Sequence, residues 1–229
     1  MGWLPFLQKT CLVCTMGIAS KAKVCEACQQ KVQSIPKEVC QRCCCRLSLA
    51  GTVCGACLKS PPYYDHVAAM WVYDDLSAHL IQRLKFKEDF ATLPYLLEQM
   101  SHFLGDHYQS QEWPEAVLPV PLHFSRLWRR GFNQAAILGK VLAKKHQLDF
   151  YDNVLIKTKK TQAQVGLHFS ERASNLRAAF EIKRTLPHQH VVLVDDVMTT
   201  GSTVHEIAKT LKLQGVGKVS VWVLARAFK

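Results

Sequence analysis

No cysteine occurs after Cys57, the last of ten. No apolar run approaches the roughly 20 residues that cross a bilayer as a helix, so insertion into a membrane is not expected. Residues 1–7 lack the basic stretch and long apolar core of a secretory leader. A cytoplasmic, thiol-reducing location is therefore expected, and the cysteines read as metal or redox chemistry rather than as covalent staples. Low-complexity, collagen-like and disordered classes are excluded by 48% apolar and 21% charged residues with only 11 glycines. Acid is scarce as well: 18 Asp and Glu face 29 Lys and Arg, a formal charge of +11 that favours phosphate-bearing partners, nucleic acid or small ligand.

That charge is uneven. Residues 1–60 hold eight basic and two acidic side chains, and the other 169 residues hold 21 and 16. The dense quarter is also the cysteine quarter. Four C-x-x-C pairs stand at Cys11/Cys14, Cys25/Cys28, Cys40/Cys43 and Cys54/Cys57, and a shift of 29 residues superposes the first two pairs on the last two. This is an internal repeat of two four-cysteine units. A C-x-x-C turn presents two thiolates to one ion, and tetrahedral Zn2+ takes four, so two structural zinc ions are expected. About 60 residues with little apolar core need such staples to fold. Sequential pairing puts Cys11, Cys14, Cys25 and Cys28 on one ion and Cys40, Cys43, Cys54 and Cys57 on the other. An interleaved arrangement, with the first and third pairs sharing an ion, stays open. Cys44 and Cys45 fall outside the repeat and read as packing or exposed thiols. Thioredoxin-like chemistry is disfavoured because no βαβ pattern surrounds any pair.

Ser60-Pro61-Pro62 reads as an extended linker, dividing the chain into a zinc-binding module (1–60) and a second domain (61–229). In the latter, strands are expected at His66–Tyr73, Ala116–Leu122, Val154–Thr158, Val191–Val194 and Lys218–Ala225. Helices are expected at Leu76–Phe86, Leu93–Phe103, Asn133–Lys145 (apolar side Ala135, Leu138, Val141, Leu142) and Thr203–Leu213. Thr203-x-x-Glu206 reads as a capping box and Gly215 as a C-cap. Thr158–Phe180 is polar, basic and irregular. The alternation predicts an α/β fold with an open parallel sheet flanked by helices.

The most informative stretch is Val191–Thr203, V-V-L-V-D-D-V-M-T-T-G-S-T. Its apolar run suits a strand covered on both faces. The turn that follows can aim the amides of Thr199–Thr203 and their hydroxyls at an anion above a helix N-terminus. Gly201 permits close backbone approach. Asp195 and Asp196, at the carboxyl end of the strand, can accept hydrogen bonds from a ribose diol, and ligands of open α/β sheets bind at that end.

This segment matches throughout the phosphoribosyl pyrophosphate (PRPP) signature of type I phosphoribosyltransferases, and the wider chain resembles the ComF/ComFC competence family. That resemblance is carried by the C-x-x-C pairs, Tyr73-Asp74, Leu84-Lys85-Phe86, Pro119-Val120-Pro121-Leu122, Arg130-Gly131-Phe132-Asn133-Gln134, Gln164, Arg172 and Asn175. It implies a type I phosphoribosyltransferase-like sheet behind a small zinc-ribbon module, and a role in DNA uptake during natural transformation. It also implies that PRPP with Mg2+ is held by Asp195, Asp196, Thr199, Thr200, Gly201, Ser202 and Thr203, with Pro121, Leu122, Arg130 and Lys159. Pro119–Arg126 would be the pyrophosphate loop, with Arg126, Arg129 and Arg130 neutralising phosphates. Lys157–Arg172 would close over the ligand, bringing Lys159, Lys160 or Arg172. Asp195, Asp196 and Arg126 would carry catalysis by positioning and electrostatics. In 6-oxopurine phosphoribosyltransferases an Asp serving as base precedes the turn glycine by two; here that position is Thr199, which counts against purine salvage and leaves the acceptor unidentified.

Two readings compete with different chemistry. One is a Mg2+-dependent phosphoribosyltransferase. The other is a non-catalytic protein that binds PRPP and single-stranded DNA and works with proteins of the uptake machinery, Arg126, Trp128, Arg129 and Arg130 gripping backbone and bases. Packing at a helix end is the plainer expectation for Trp128 and Phe132. A PRPP-sensing repressor is disfavoured by the lack of a helix-turn-helix. Tyr73, Leu84 and Phe86 read as core or as a hood over the site, and His123, His168 and His205 as structural.

Overall fold

The computed structural model describes residues 9–18, 22–47, 51–84, 90–158 and 179–228. In chain order the elements are β1 (Lys9–Thr10), β2 (Gly17–Ile18), α1 (Glu26–Gln29), α2 (Gly55–Lys59), β3 (His66–Val72), α3 (Asp75–Arg83) and α4 (Leu93–His107). There follow β4 (Ala116–Pro119), α5 (Phe124–Arg130), α6 (Gln134–Lys145), β5 (Asp149–Phe150), β6 (Leu155–Lys157), β7 (Phe180–Ile182), β8 (His190–Met198), α7 (Ser202–Leu213) and β9 (Lys218–Arg226). A parallel five-stranded sheet of order β3-β9-β8-β4-β5 forms the centre, and β6 pairs antiparallel with β7 beside it.

The sheet is apolar on both faces because helices or cysteine units cover each one. Alternate strand residues take opposite sides. Val67, Leu118, Val191, Leu193, Val221 and Val223 pack with Val204, Ile207 and Leu211 of α7. Ala68, Val117, Val192, Val194, Trp222 and Leu224 pack with α3, α4 and α6. The indole of Trp222, fully buried, donates to the Tyr108 hydroxyl at 2.9 Å, so its polar edge is satisfied inside the core. Each burial of a large side chain here contributes about 1.5–3 kcal/mol. Gly139 lets α6 approach closely: a Cβ there would stand 3.2 Å from Phe150 and 3.3 Å from Val117.

The cysteine repeat is a repeat of structure. Cys11 N–H bonds the Met16 carbonyl and Cys40 N–H that of Cys45, both at 2.8 Å. Leu12 and Gln41 donate likewise to Lys23 and Thr52, and Thr15 and Cys44 both have positive φ, 60° and 55°. The pairing of Thr10 with Gly17 returns as that of Val39 with Arg46. Each unit serves one face of the sheet: Cys40, Cys43, Cys44 and Cys57 join the α7 side, and Cys11 and Cys28 the α3–α4–α6 side.

Several expectations are corrected. The helix expected at Leu76–Phe86 ends at Arg83, with Leu84 as C-cap and Phe86 outside the described residues. Val141 is 41% exposed instead of facing the core. No capping box starts α7: it begins at Ser202 with Gly201, φ 77°, as N-cap and no side-chain cap. A left-handed residue turns β8 directly into the helix, so Thr203 already lies within the first turn.

Candidate functional site

Each cysteine unit brings its four thiols together in the sequential pairing: Cys11, Cys14, Cys25 and Cys28 in one, Cys40, Cys43, Cys54 and Cys57 in the other, all sulfurs of a set within 4.8 Å of one another. The interleaved arrangement is thereby excluded. Cys14 and Cys25 sulfurs are 3.7 Å apart, as are those of Cys43 and Cys54. A tetrahedron with Zn–S bonds of about 2.3 Å has sulfur edges of roughly 3.8 Å, so the donor set fits a zinc ion. Backbone amides soften the charge as expected of such turns: Cys25 N–H donates to Cys11 Sγ and Cys54 N–H to Cys40 Sγ, both at 3.3 Å. Cys44 lies buried outside the ligand set, and Cys45 is half-buried.

At the carboxyl end of the sheet, β4 and β8 run side by side and the chain leaves both toward one place. Val120 N–H bonds the Val194 carbonyl at 2.9 Å, extending the ladder past Pro119. The Asn133 side chain then ties the two ends of the 121–132 excursion, donating to the Val120 carbonyl at 3.0 Å and accepting from Ala135 N–H at 3.1 Å. Pro121 and Leu122 are half-buried at its start. Arg126 and Arg130 lie on α5, a helix that the sequence pattern does not reveal. His123 caps it by accepting from Ser125 N–H, and Gly131, φ 74°, ends it.

Asp195 and Asp196 are half-buried in β8, with Asp195 paired to Val223 of β9. Arg130 feels the charge of Asp196; burial holds its pKa below the usual arginine range, against the pull of Asp196 and with the push of Arg126 and Arg129. Lys157, on β6, stands in the same electrostatic group. Burial, helped by the charge of Arg126 and opposed by that of Asp195, lowers its pKa to about 8. The Lys157 ammonium also lies 5.5 Å from the centroid of the Phe180 ring. Three cations and two acids from three segments, α5, β6 and β8, thus interact. Thr200 and Ser202 hydroxyls meet at 2.9 Å, and Thr199, Thr200 and Gly201 amides find no acceptor among the described residues. Thr203 is half-buried in the first turn of α7. The free backbone donors of the turn suit an anion, and the acids just before it, which interact with Arg130 and Lys157, suit hydroxyls.

Lys159 lies outside the described residues, with Lys160, Gln164, His168, Arg172 and Asn175. Trp128 is 81% exposed and Phe124 74%, so the expected packing of Trp128 is not found; Phe132 does pack, its ring 5.0 Å from that of Phe90. His205 makes an edge contact with Tyr63. Sequence reasoning missed three residues of the site. Lys157 was masked by its basic surroundings, Tyr64 sits under the turn glycine, and Arg226 lies beneath the turn.

The chain resembles known proteins over nearly all its length. Residues 128–227 match the phosphoribosyl transferase domain family. Competence protein F of Haemophilus influenzae is 36% identical over 228 residues, covering 97% of this chain and 99% of that one. DNA utilization protein YhgH of Escherichia coli K12 is 31% identical, covering 94% and 96%. Competence protein ComFC of Bacillus subtilis is 26% identical, covering 90% and 85%. Among solved structures, a hypoxanthine phosphoribosyltransferase from Staphylococcus aureus aligns over 64% of each chain at 15% identity with a TM-score of 0.33, too loose to carry residues across.

A methyl group at Gly201 would meet Met198 Cε at 2.5 Å and the Tyr64 hydroxyl at 2.9 Å, in a backbone region that L-residues avoid. Gly201→Ala is expected to cost at least about 1–2 kcal/mol of stability, read as a shift of the urea midpoint. An unchanged midpoint would remove the turn's dependence on glycine.

Proposed function

The chain belongs to the competence protein F family and carries its phosphoribosyl transferase domain; on that premise we propose that it binds PRPP with Mg2+ between α5, β6 and the β8–α7 turn, in the service of DNA uptake. The observation that carries this reading is the joining of two acids to a turn of free amides and hydroxyls at the end of one parallel strand. A phosphate alone needs the turn. The acids add recognition of sugar hydroxyls, and the ligand that presents both is a phosphorylated ribose.

In this reading the Thr199–Thr203 turn takes the 5-phosphate, and Asp195 and Asp196 take the ribose diol. Arg126, Arg130 and Lys157 face the pyrophosphate, with Lys159 joining them when the ligand is bound. Asp195 and Asp196 are the carboxylates that could hold Mg2+, which when bound would supply charge neutralisation to the leaving pyrophosphate. In a transfer reaction the C1–O bond breaks, its electron pair leaves with pyrophosphate, and an acceptor nucleophile forms the new bond at C1 from the opposite face. The chain's residues contribute by orientation and electrostatics. Thr199 offers no base at the position where 6-oxopurine phosphoribosyltransferases carry an Asp, so this reading leaves the acceptor open.

The second reading, binding of single-stranded DNA without turnover, is favoured by the exposure of Trp128 between Arg126 and Arg129. An indole in solvent flanked by guanidinium groups stacks on bases of any sequence while the cations hold phosphates. Both readings assign residues 1–60 to the zinc-binding unit and residues 61–229 to the PRPP-binding unit.

Asp195→Ala combined with Asp196→Ala is expected to abolish PRPP binding in calorimetry; equal affinities of wild type and variant would overturn the assignment. Lys157 binds anions only as the ammonium, so pyrophosphate affinity should fall as pH rises through about 8, and Lys157→Met should bind more weakly at pH 7 and lose that step. Trp128→Ala should weaken an oligo-dT complex by about 1–3 kcal/mol per stacked base and leave PRPP binding unchanged. Undiminished DNA affinity would take α5 out of the second reading.

A further inference from the structure

Beneath the turn after β8 lies a guanidinium with no acid beside it among the described residues. Arg226, at the end of β9, is 6% exposed, and no carboxylate among the described residues forms an ion pair with it. Its hydrogen bonds all go to carbonyls. Nε donates to Cys43 at 3.1 Å, and Nη1 donates to Met198 at 3.1 Å, to Thr199, and to Ala227 at 2.7 Å. One side chain therefore bridges the second cysteine unit, the last residue of β8 and the first residue of the turn.

Carbonyls satisfy the donors of a guanidinium but not its charge, and an uncompensated buried charge is costly. The compensation available nearby is the second thiolate set. A divalent ion with four thiolates carries a net charge of about −2, and the guanidinium is held beside that set by its hydrogen bond to the carbonyl of Cys43, one of the four ligand residues. The bridge has a second consequence. A trans peptide holds its N–H opposite its C=O, so fixing the carbonyls of Met198 and Thr199 inward turns the amides of Thr199 and Thr200 outward. These are two of the amides left without an acceptor. The first cysteine unit provides the contrast: there Arg83 of α3 donates to the Leu12 carbonyl at 2.6 Å, far in sequence from the turn.

We propose that Arg226 is a positioning residue that couples the metal of the Cys40–Cys43–Cys54–Cys57 site to the phosphate turn, neutralising the thiolate cluster on one side and aiming the Thr199 and Thr200 amides on the other. The proposal rests on the zinc reading of that cluster and needs no PRPP. Loss of the second metal leaves Arg226 without its counter-charge and loosens the turn, whereas loss of the first metal does not.

The test uses the full zinc-loaded chain, with zinc release to a chromogenic chelator and amide hydrogen exchange across residues 198–204 as readouts. Arg226→Gln should speed release of one of two zinc ions by roughly 10–100-fold, as loss of an outer-shell partner does. Cys54→Ser, with Arg226 intact, should raise exchange at 199–203 by about tenfold through local opening, and Cys14→Ser should leave it unchanged. Arg226→Lys keeps the charge but not the fork, so it should slow zinc release relative to Arg226→Gln without restoring protection of the turn. Should a variant fail to accumulate, stepwise chelation of the wild-type chain supplies the same comparison: protection of the turn should fall with departure of one zinc and not the other. Two bound zinc ions with a turn indifferent to both would overturn the coupling alone; a chain that binds no zinc would overturn the metal reading with it.

Discussion

The backbone ladder that holds β8 between β4 and β9 constrains everything else in this molecule. Val191–Val194 are buried on both sides between β4 and β9; the pairing with β4 stops at Val194, and polar residues begin at Asp195, where β8 continues along β9 alone. Two acids are thereby fixed at the sheet's carboxyl edge. The turn that follows must reverse into α7 within three residues, which a left-handed Gly201 accomplishes. Because β4 is in register with β8, the chain leaving Pro119 delivers the arginines of α5 to the same edge. The site is a consequence of strand register before it is a set of side chains.

The cysteine units are built into that frame. Their 29-residue repeat is duplicated in hydrogen bonds, positive-φ positions and sulfur spacing. The two copies nevertheless meet different surroundings, because the sheet has two unlike faces. One copy packs toward α3, α4 and α6, and the other toward α7 and the phosphate turn. Equal cysteine spacing thus yields unequal context, and among the described residues the second copy is tied to the turn after β8 by the Arg226 side chain.

Much of this was legible beforehand. The buried strands announced themselves by apolar runs, α4, α6 and α7 by their helical period, and the two thiol sets by spacing. The acid pair and Gly201 were legible for the same reason, since their roles depend on neighbours in sequence. α5 was not: its large apolar side chains Phe124, Leu127 and Trp128 face solvent, so no buried stripe marks it. Val141 misled because apolar residues at helical spacing need not all reach the core. The apparent capping box at Thr203 gave way to a glycine whose left-handed backbone performs the turn without a side-chain bond.

What the sequence determined by itself was the element types, the duplicated thiol sets and the glycine turn after β8, because each is governed by interactions a few residues apart. The tertiary structure decided the sequential partition of the thiols, the gathering of Lys157 and Arg130 about Asp195 and Asp196, and the bridge made by Arg226. Those depend on contacts between distant segments, 183 positions apart for Arg226 and Cys43. Charge and hydrogen-bonding groups act through space, and the sheet's register is what converts that sequence separation into contact.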